Sequence, residues 1–138
     1  MEFASVRIIT DDLDRMVDFY EQVTGITAER PAPAFAEFVS PLATLAIAHT
    51  QTLVAFGDDS AQPAANLSTI LEFRVHDVDA EFERLNPHVG SWVQEPTTMP
   101  WGNRSILFRD PDGNLVNLFA PVTEEAIARF ADRPTAIN

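Results

Sequence analysis

Four ionisable side chains fall within or just beyond stretches of β-like alternation: Glu37, His49, Glu72 and His76. Imidazole and carboxylate are the donors that Zn, Ni, Fe or Mn take, and they are also the groups that move protons near neutral pH. The same stretches carry Arg7 and Arg74. A guanidinium repels a dication and pairs with a carboxylate, so the first expectation for Glu72 is an ion pair with Arg7 or Arg74. His49 and His76 read first as satisfied polar residues, and only second as bases or ligands. Three other residues could contact a bound molecule. Trp101, in the turn Pro100-Trp101-Gly102-Asn103, could stack as a lid. Arg104 could clamp a carboxylate or phosphate bidentately, or pair with Glu95. Asn117 could orient a polar group through its amide.

Composition removes other chemistries. The 138 residues contain no Cys, and all nine basic residues are Arg. Cysteine nucleophiles, thiolate metal sites, disulfides, Schiff-base lysines and phosphate-loop lysines are therefore excluded. No Ser-His-Asp set or nucleotide fingerprint is present. The charge of -12 and the pI near 4.4 argue against nucleic acid or an anionic membrane as partner and suit a cationic ligand. The start of the chain lacks a basic segment followed by an apolar one, so the expected location is cytoplasmic. The uncharged run between Glu37 and Asp58 is too polar and broken to span a membrane.

The elements that would position these residues come from a repeat. Val6-Arg7-Ile8-Ile9-Thr10-Asp11-Asp12-Leu13-Asp14 and Leu71-Glu72-Phe73-Arg74-Val75-His76-Asp77-Val78-Asp79 are offset by 65 residues. Each reads as a strand, an Asp cap and a helix. Leu13, Met16, Val17 and Tyr20 form one helical stripe, and Val78, Phe82 and Leu85 form the second. Asp12 and Asp77 stand at N-cap positions, while Gly25 and Asn86-Pro87 end the helices. The first helix is followed by strand signals at 26–30, 35–39 and 44–49, the last continuing toward Phe56. The second is followed by signals at 92–98, 104–109 and 115–120. Asp110-Pro111-Asp112-Gly113-Asn114 is a hairpin turn, and Thr123 begins a short helix over 123–131. The expected fold is α+β, with two βαβββ modules whose sheets form a cup, and a short C-terminal helix. The expected divisions are a first module at 1–57, a linker at 58–67, a second module at 68–121, and a helix and tail at 122–138. Alternation predicts Val6, Ile8 and Thr10 with Leu71, Phe73 and Val75 against the helices. Ser5, Arg7, Ile9, Ile70, Glu72 and Arg74 then line the cup, with Glu37 and His49 added by the middle strands.

Asp12-Leu13-Asp14-Arg15-Met16-Val17-Asp18-Phe19-Tyr20 with Gly25, and Pro100-Trp101-Gly102-Asn103-Arg104 leading to Phe108-Arg109-Asp110-Pro111-Asp112-Gly113-Asn114, resemble the vicinal oxygen chelate superfamily. That superfamily includes glyoxalase I, extradiol dioxygenases and the bleomycin and fosfomycin resistance proteins. The resemblance covers residues 5 to about 121 and implies a cup built from paired modules, within one chain or across a homodimer. In metal-dependent members, His, Gln or Glu near the start of each module's first strand and Glu near its end hold a divalent metal. Carried onto this sequence, those positions are Ser5, Ile70 and Asn117, none of which supplies imidazole or carboxylate. The expectation is a metal-independent protein that binds a small organic molecule, with antibiotic sequestration as the nearest analogy. No cofactor is expected. The candidate contact residues are Ser5, Arg7, Glu37, His49, Ile70, Glu72, Arg74, Trp101, Arg104 and Asn117. The alternative is a metal-dependent glyoxalase- or dioxygenase-type enzyme whose ligands have moved to Glu37, His49, Glu72 or His76. A homodimer is expected as the assembly.

Overall fold

The sequence repeat becomes two copies of one topology in the computed structural model, which describes residues 1–57 and 59–135. The first copy runs β1 (Ser5–Thr10), α1 (Leu13–Thr24), β2 (Glu29–Ala32), β3 (Phe35–Val39) and β4 (Thr44–His49). The second runs β5 (Ile70–Arg74), α2 (Val78–Leu85), β6 (Trp92–Thr98), β7 (Asn103–Arg109) and β8 (Leu115–Pro121), followed by α3 (Glu124–Phe130). The strand orders are β1-β4-β3-β2 and β5-β8-β7-β6. In each sheet the first strand lies parallel to the last, and the other neighbours are antiparallel. The chain divides into two units, Met1–Leu67 with Asp110–Gly113, and Ser68–Arg109 with Asn114–Asn138. Among the described residues, no helix is long and apolar enough to cross a membrane. Of the expected linker and tail, Asp58 and residues 136–138 lie outside the described residues.

Local chemistry explains the helix boundaries. The Asp12 carboxylate accepts the Arg15 N–H at 3.1 Å, and Asp77 accepts that of Ala80 at 3.1 Å. Each satisfies one of the amides that a first turn leaves free. Gly25, at φ +69°, ends α1 in the left-handed conformation and donates its N–H to the Glu21 carbonyl. The stripe Leu13, Met16, Val17, Tyr20 and Val23 is buried. Burying each such side chain contributes about 1.5–3 kcal/mol before entropy is counted.

Register then assigns the paired strand residues to a face, with shifts within β2 and β6. Val6, Ile8 and Thr10 pair with Leu45, Ile47 and His49, while Ile47 and Leu45 pair with Ala36 and Phe38. This is the helix side, since the Tyr20 ring lies 6.1 Å from Phe38. In the second sheet, Trp92 lies between Phe82 of α2 at 4.8 Å and Phe108 of β7 at 5.4 Å. Phe108 pairs with Val116, and Val116 with Leu71, so these share the helix side. The opposite face of each sheet is its far face. Two expected boundaries move. The strand expected to run toward Phe56 ends at His49, whose Nδ1 accepts the Gln51 N–H at 3.1 Å and starts a 3-10 turn over Thr50–Ala55. The strand expected at 26–30 becomes Glu29–Ala32. The amides of Ile26 and Ala28 bond instead to the Thr24 hydroxyl and the Glu21 carboxylate, and Pro31 is tolerated because β2 is an edge strand. Val6, expected in the core, is 37% exposed near the start of edge strand β1.

A buried polar pair lies in the first unit. The Tyr20 hydroxyl donates to Asp110 Oδ2 at 2.7 Å, and Asp110 is only 5% exposed. Asp110 Oδ1 accepts the Asp112 N–H at 3.0 Å, which ties the turn to the same carboxylate. Burial, reinforced by the adjacent Asp110 charge, pushes the Tyr20 hydroxyl far above the ordinary tyrosine range. Unfolded tyrosine loses its proton near pH 10, whereas the folded group keeps it. Above that pH the unfolded chain binds fewer protons, so stability is expected to fall by about 1.4 kcal/mol per pH unit. Tyr20→Phe should remove this slope and cost about 1–3 kcal/mol at neutral pH, because Asp110 loses a buried donor. Denaturant unfolding checks both effects. Tyr20 is the chain's single tyrosine, so tyrosinate absorbance follows its titration directly.

Candidate functional site

The far face of each sheet carries one row of directly opposed residues. In the first sheet, Arg7 of β1 opposes Ala46 of β4, Ala46 opposes Glu37 of β3, and Glu37 opposes Glu29 of β2. In the second, Glu72 of β5 opposes Asn117 of β8, Asn117 opposes Leu107 of β7, and Leu107 opposes Gln94 of β6. Neighbouring strands lie about 4.8 Å apart, so each row spans about 14 Å. Arg7 and Glu72 head the two rows, which is the 65-residue offset of the sequence repeat seen in three dimensions.

The residues singled out from sequence separate by face. Ser5 and Arg7 stand on the far face of the first sheet with Glu37, since Ser5 pairs with Thr44 and Arg7 with Ala46. The Arg7 guanidinium lies over Phe35 at 5.0 Å and Phe56 at 5.9 Å. Ile70, Glu72, Arg74 and Asn117 stand on the far face of the second sheet. Glu72 accepts the Asn117 amide at 2.9 Å, and Arg74 donates to the Pro134 carbonyl, so of the two partners expected for Glu72, Arg7 or Arg74, Arg74 is not paired with it. His49 has the parity of Ile47 and caps the 3-10 turn, which sets it on the helix side, away from Glu37. His76 is exposed just after β5. Trp101 is 56% exposed in the β6–β7 turn.

Arg104 also lies on the helix side. It pairs with Ala120 and Thr98 in register and forks onto Asp79 of α2, with Nε and Nη2 donating at 2.6 and 2.7 Å. This bidentate hydrogen bonding holds the Asp79 carboxyl below the usual carboxylate range. Its partner is therefore the second residue of α2, and neither Glu95 nor a ligand on the far face.

Two kinds of residue were missed in the sequence. One is Ala46, which takes in the first module the place that Asn117 takes in the second: each opposes the row's heading residue in the last strand. The other is a set of acceptors on the second far face. Gln94 Oε1, Asn103 Oδ1 and Asn117 Oδ1 are buried without a hydrogen-bond partner. Gln94 and Asn117 belong to the Glu72 row, and Asn103 shares their face. Asp112 Oδ2, in the 110–114 turn, is a fourth such atom. A buried acceptor left unmade costs about 1–3 kcal/mol, so these oxygens are open to ordered water or to a bound donor. Among the described residues, no three His, Asp or Glu side chains gather as a metal site would need.

Removing one orphaned acceptor should reveal its cost. Asn117→Leu forfeits the bond to Glu72, but Glu72 is exposed and rehydrates. The variant is expected to be as stable as the parent or up to about 1 kcal/mol more stable. Urea unfolding measures this, and a loss above about 1 kcal/mol would show that the amide serves the fold.

The family model described as Glyoxalase/Bleomycin resistance protein/Dioxygenase superfamily matches residues 2–118. Among curated sequences, the chain is 24% identical over 125 residues to the uncharacterized protein YraH of Bacillus subtilis, covering 86% of this chain and 98% of that one. Among solved structures, a glyoxalase/bleomycin resistance protein/dioxygenase from Nocardioides superposes with a TM-score of 0.74 at 24% identity, covering 90% of this chain and 85% of that one. A protein of unknown function from Agrobacterium tumefaciens C58 gives 0.75 at 26% identity, covering 87% and 94%.

Proposed function

This chain belongs to the Glyoxalase/Bleomycin resistance protein/Dioxygenase superfamily, and we propose that within it the protein binds a small organic molecule on its far sheet faces without a metal. Sequestration of an antibiotic-like compound is the activity this reading favours. One observation carries it. The two first-strand positions hold Ser5 and Ile70, and the two matching last-strand positions hold Ala46 and Asn117. A hydroxyl, two alkyl groups and an amide replace the imidazoles and carboxylates that a divalent transition metal takes. Arg7 and Arg74 on the same faces add positive charge that opposes a dication.

The competing reading is a metal-dependent lyase or dioxygenase with displaced ligands. Of its candidate donors, His49 is on the helix side and Glu72 is engaged by the Asn117 amide. Thermal melting with and without Ni, Zn, Mn and Fe(II), alongside turnover of the methylglyoxal–glutathione hemithioacetal, separates the two. The expected outcome is no metal-specific rise in Tm and no turnover. A large rise with one metal, abolished by Glu72→Gln or His76→Ala, would establish the enzyme instead.

We further propose a homodimer, since each sheet keeps edge strands that need protection. Sedimentation at micromolar concentration should give twice the chain mass, and a monomer there would contradict it.

A further inference from the structure

Acidic residues outnumber arginines by 21 to 9, and several arginines find them. Arg30 meets Asp14 at 2.9 Å, Arg104 forks onto Asp79, and Arg84 pairs with Glu81. Three others gather together instead. The guanidinium carbons of Arg74, Arg129 and Arg133 stand 5.6, 5.1 and 4.8 Å from the centre of a single ring, that of Phe130. Among the described residues, no carboxylate lies within ion-pair distance of any of them. Arg74 Nη2 donates to the Pro134 carbonyl at 3.3 Å, and the Arg133 backbone N–H donates to the Phe130 carbonyl at 3.1 Å.

The face of Phe130 attracts a cation through its quadrupole, which accounts for each contact taken singly. It leaves three like charges around one ring, with Arg129 and Arg133 exposed to solvent and Arg74 half-buried, where an incoming anion can meet all three. Guanidinium forks fit the oxygens of carboxylate or phosphate, and a strongly acidic chain has every opportunity to quench them internally. The cluster also has a fixed place. Arg74 belongs to the far face of the second sheet, and Phe130 rests 5.6 Å from Phe119, which is the residue paired with Arg74. The α3 helix that carries Phe130 and Arg129 is seated at Gly102. There φ is +91°, and an added Cβ would lie 2.0 Å from Oγ1 of Thr123, the cap of α3. Phe130, Arg129 and Arg133 lie beyond the residues that the family model matches, 2–118.

We propose that Arg74, Arg129 and Arg133 form an oxyanion subsite at the end of the second far face. The molecule bound there is a small organic anion carrying a carboxylate or phosphate group. The proposal deepens the binding function argued above and rests on it. It reverses the expectation of a cationic ligand drawn from net charge, because the local field at Phe130 has the opposite sign to the chain as a whole. The Glu72 and Asn117 acceptors lie one pleat away, about 7 Å along the strands, and suit a hydrogen-bond-donating remainder on the same molecule.

Calorimetric titration of the full chain with benzoate, phenyl phosphate, inorganic phosphate and neutral benzamide tests this. The expected result is saturable binding of benzoate or phenyl phosphate. Affinity should drop by about tenfold or more in Arg74→Gln and in the double variant Arg129→Gln/Arg133→Gln. It should not change in Arg15→Gln, an exposed arginine of α1. Circular dichroism of each variant confirms that the fold is retained. If benzamide binds as tightly as benzoate and the glutamine variants keep both, the far face still binds ligands but the oxyanion subsite is wrong. Equal losses in Arg15→Gln would mean diffuse charge attraction, and no saturable binding of any oxyanion at millimolar concentration would also overturn the proposal.

Discussion

In both modules the first strand pairs in parallel with the last, and that pairing fixes what the far face can do. Side chains alternate with a period of two, so a slip of one residue would turn the whole row over and bury Arg7 or Glu72 beneath a helix. The slip is prevented on the helix side. Ile8 against Ile47 and Phe73 against Leu118 lock the parallel pairs, and the stripe of α1 closes over the first of them. The chemistry of the far face is therefore set by packing on the face behind it.

The consequence is a surface with its own character in each module. In the first, Arg7 and Glu37 stand on one row with Ala46 between them. In the second, Glu72 and three unpaired amide oxygens supply acceptors, and Arg74 with the C-terminal helix supplies donors of positive charge. What these groups offer is hydrogen bonds and charge. Neither row carries an imidazole, since the register of β4 sets His49 on the helix side, where it caps a turn.

Much of this was legible in the sequence, and the residues show why. The 65-residue offset aligned Arg7 with Glu72, and alternation alone put Ser5, Arg7, Ile70, Glu72 and Arg74 on the far faces. Parity is a local property, so a single strand reveals it. What was missed depends on how strands meet. The face of His49 is set by the register of β4 against β3, which the turn at residues 40–43 determines. Ala46 escaped notice because the modules differ in loop length, so the spacing that led to Asn117 does not transfer. Arg104 and Asp79 are 25 residues apart, and no sequence pattern announces their pairing. The convergence of Arg74 on Phe130 likewise requires α3 to dock, and the signal for docking was a single glycine at position 102.

The proposal that the protein binds its ligand without a metal rests on the residue types at Ser5, Ala46, Ile70 and Asn117, and metal content tests it most directly. Protein purified without chelator or affinity metal, dialysed and submitted to elemental analysis should contain Ni, Zn, Mn, Fe and Co far below one atom per chain. One tightly retained atom per chain of any of these would contradict the account, whatever the arrangement of Ser5, Ala46, Ile70 and Asn117.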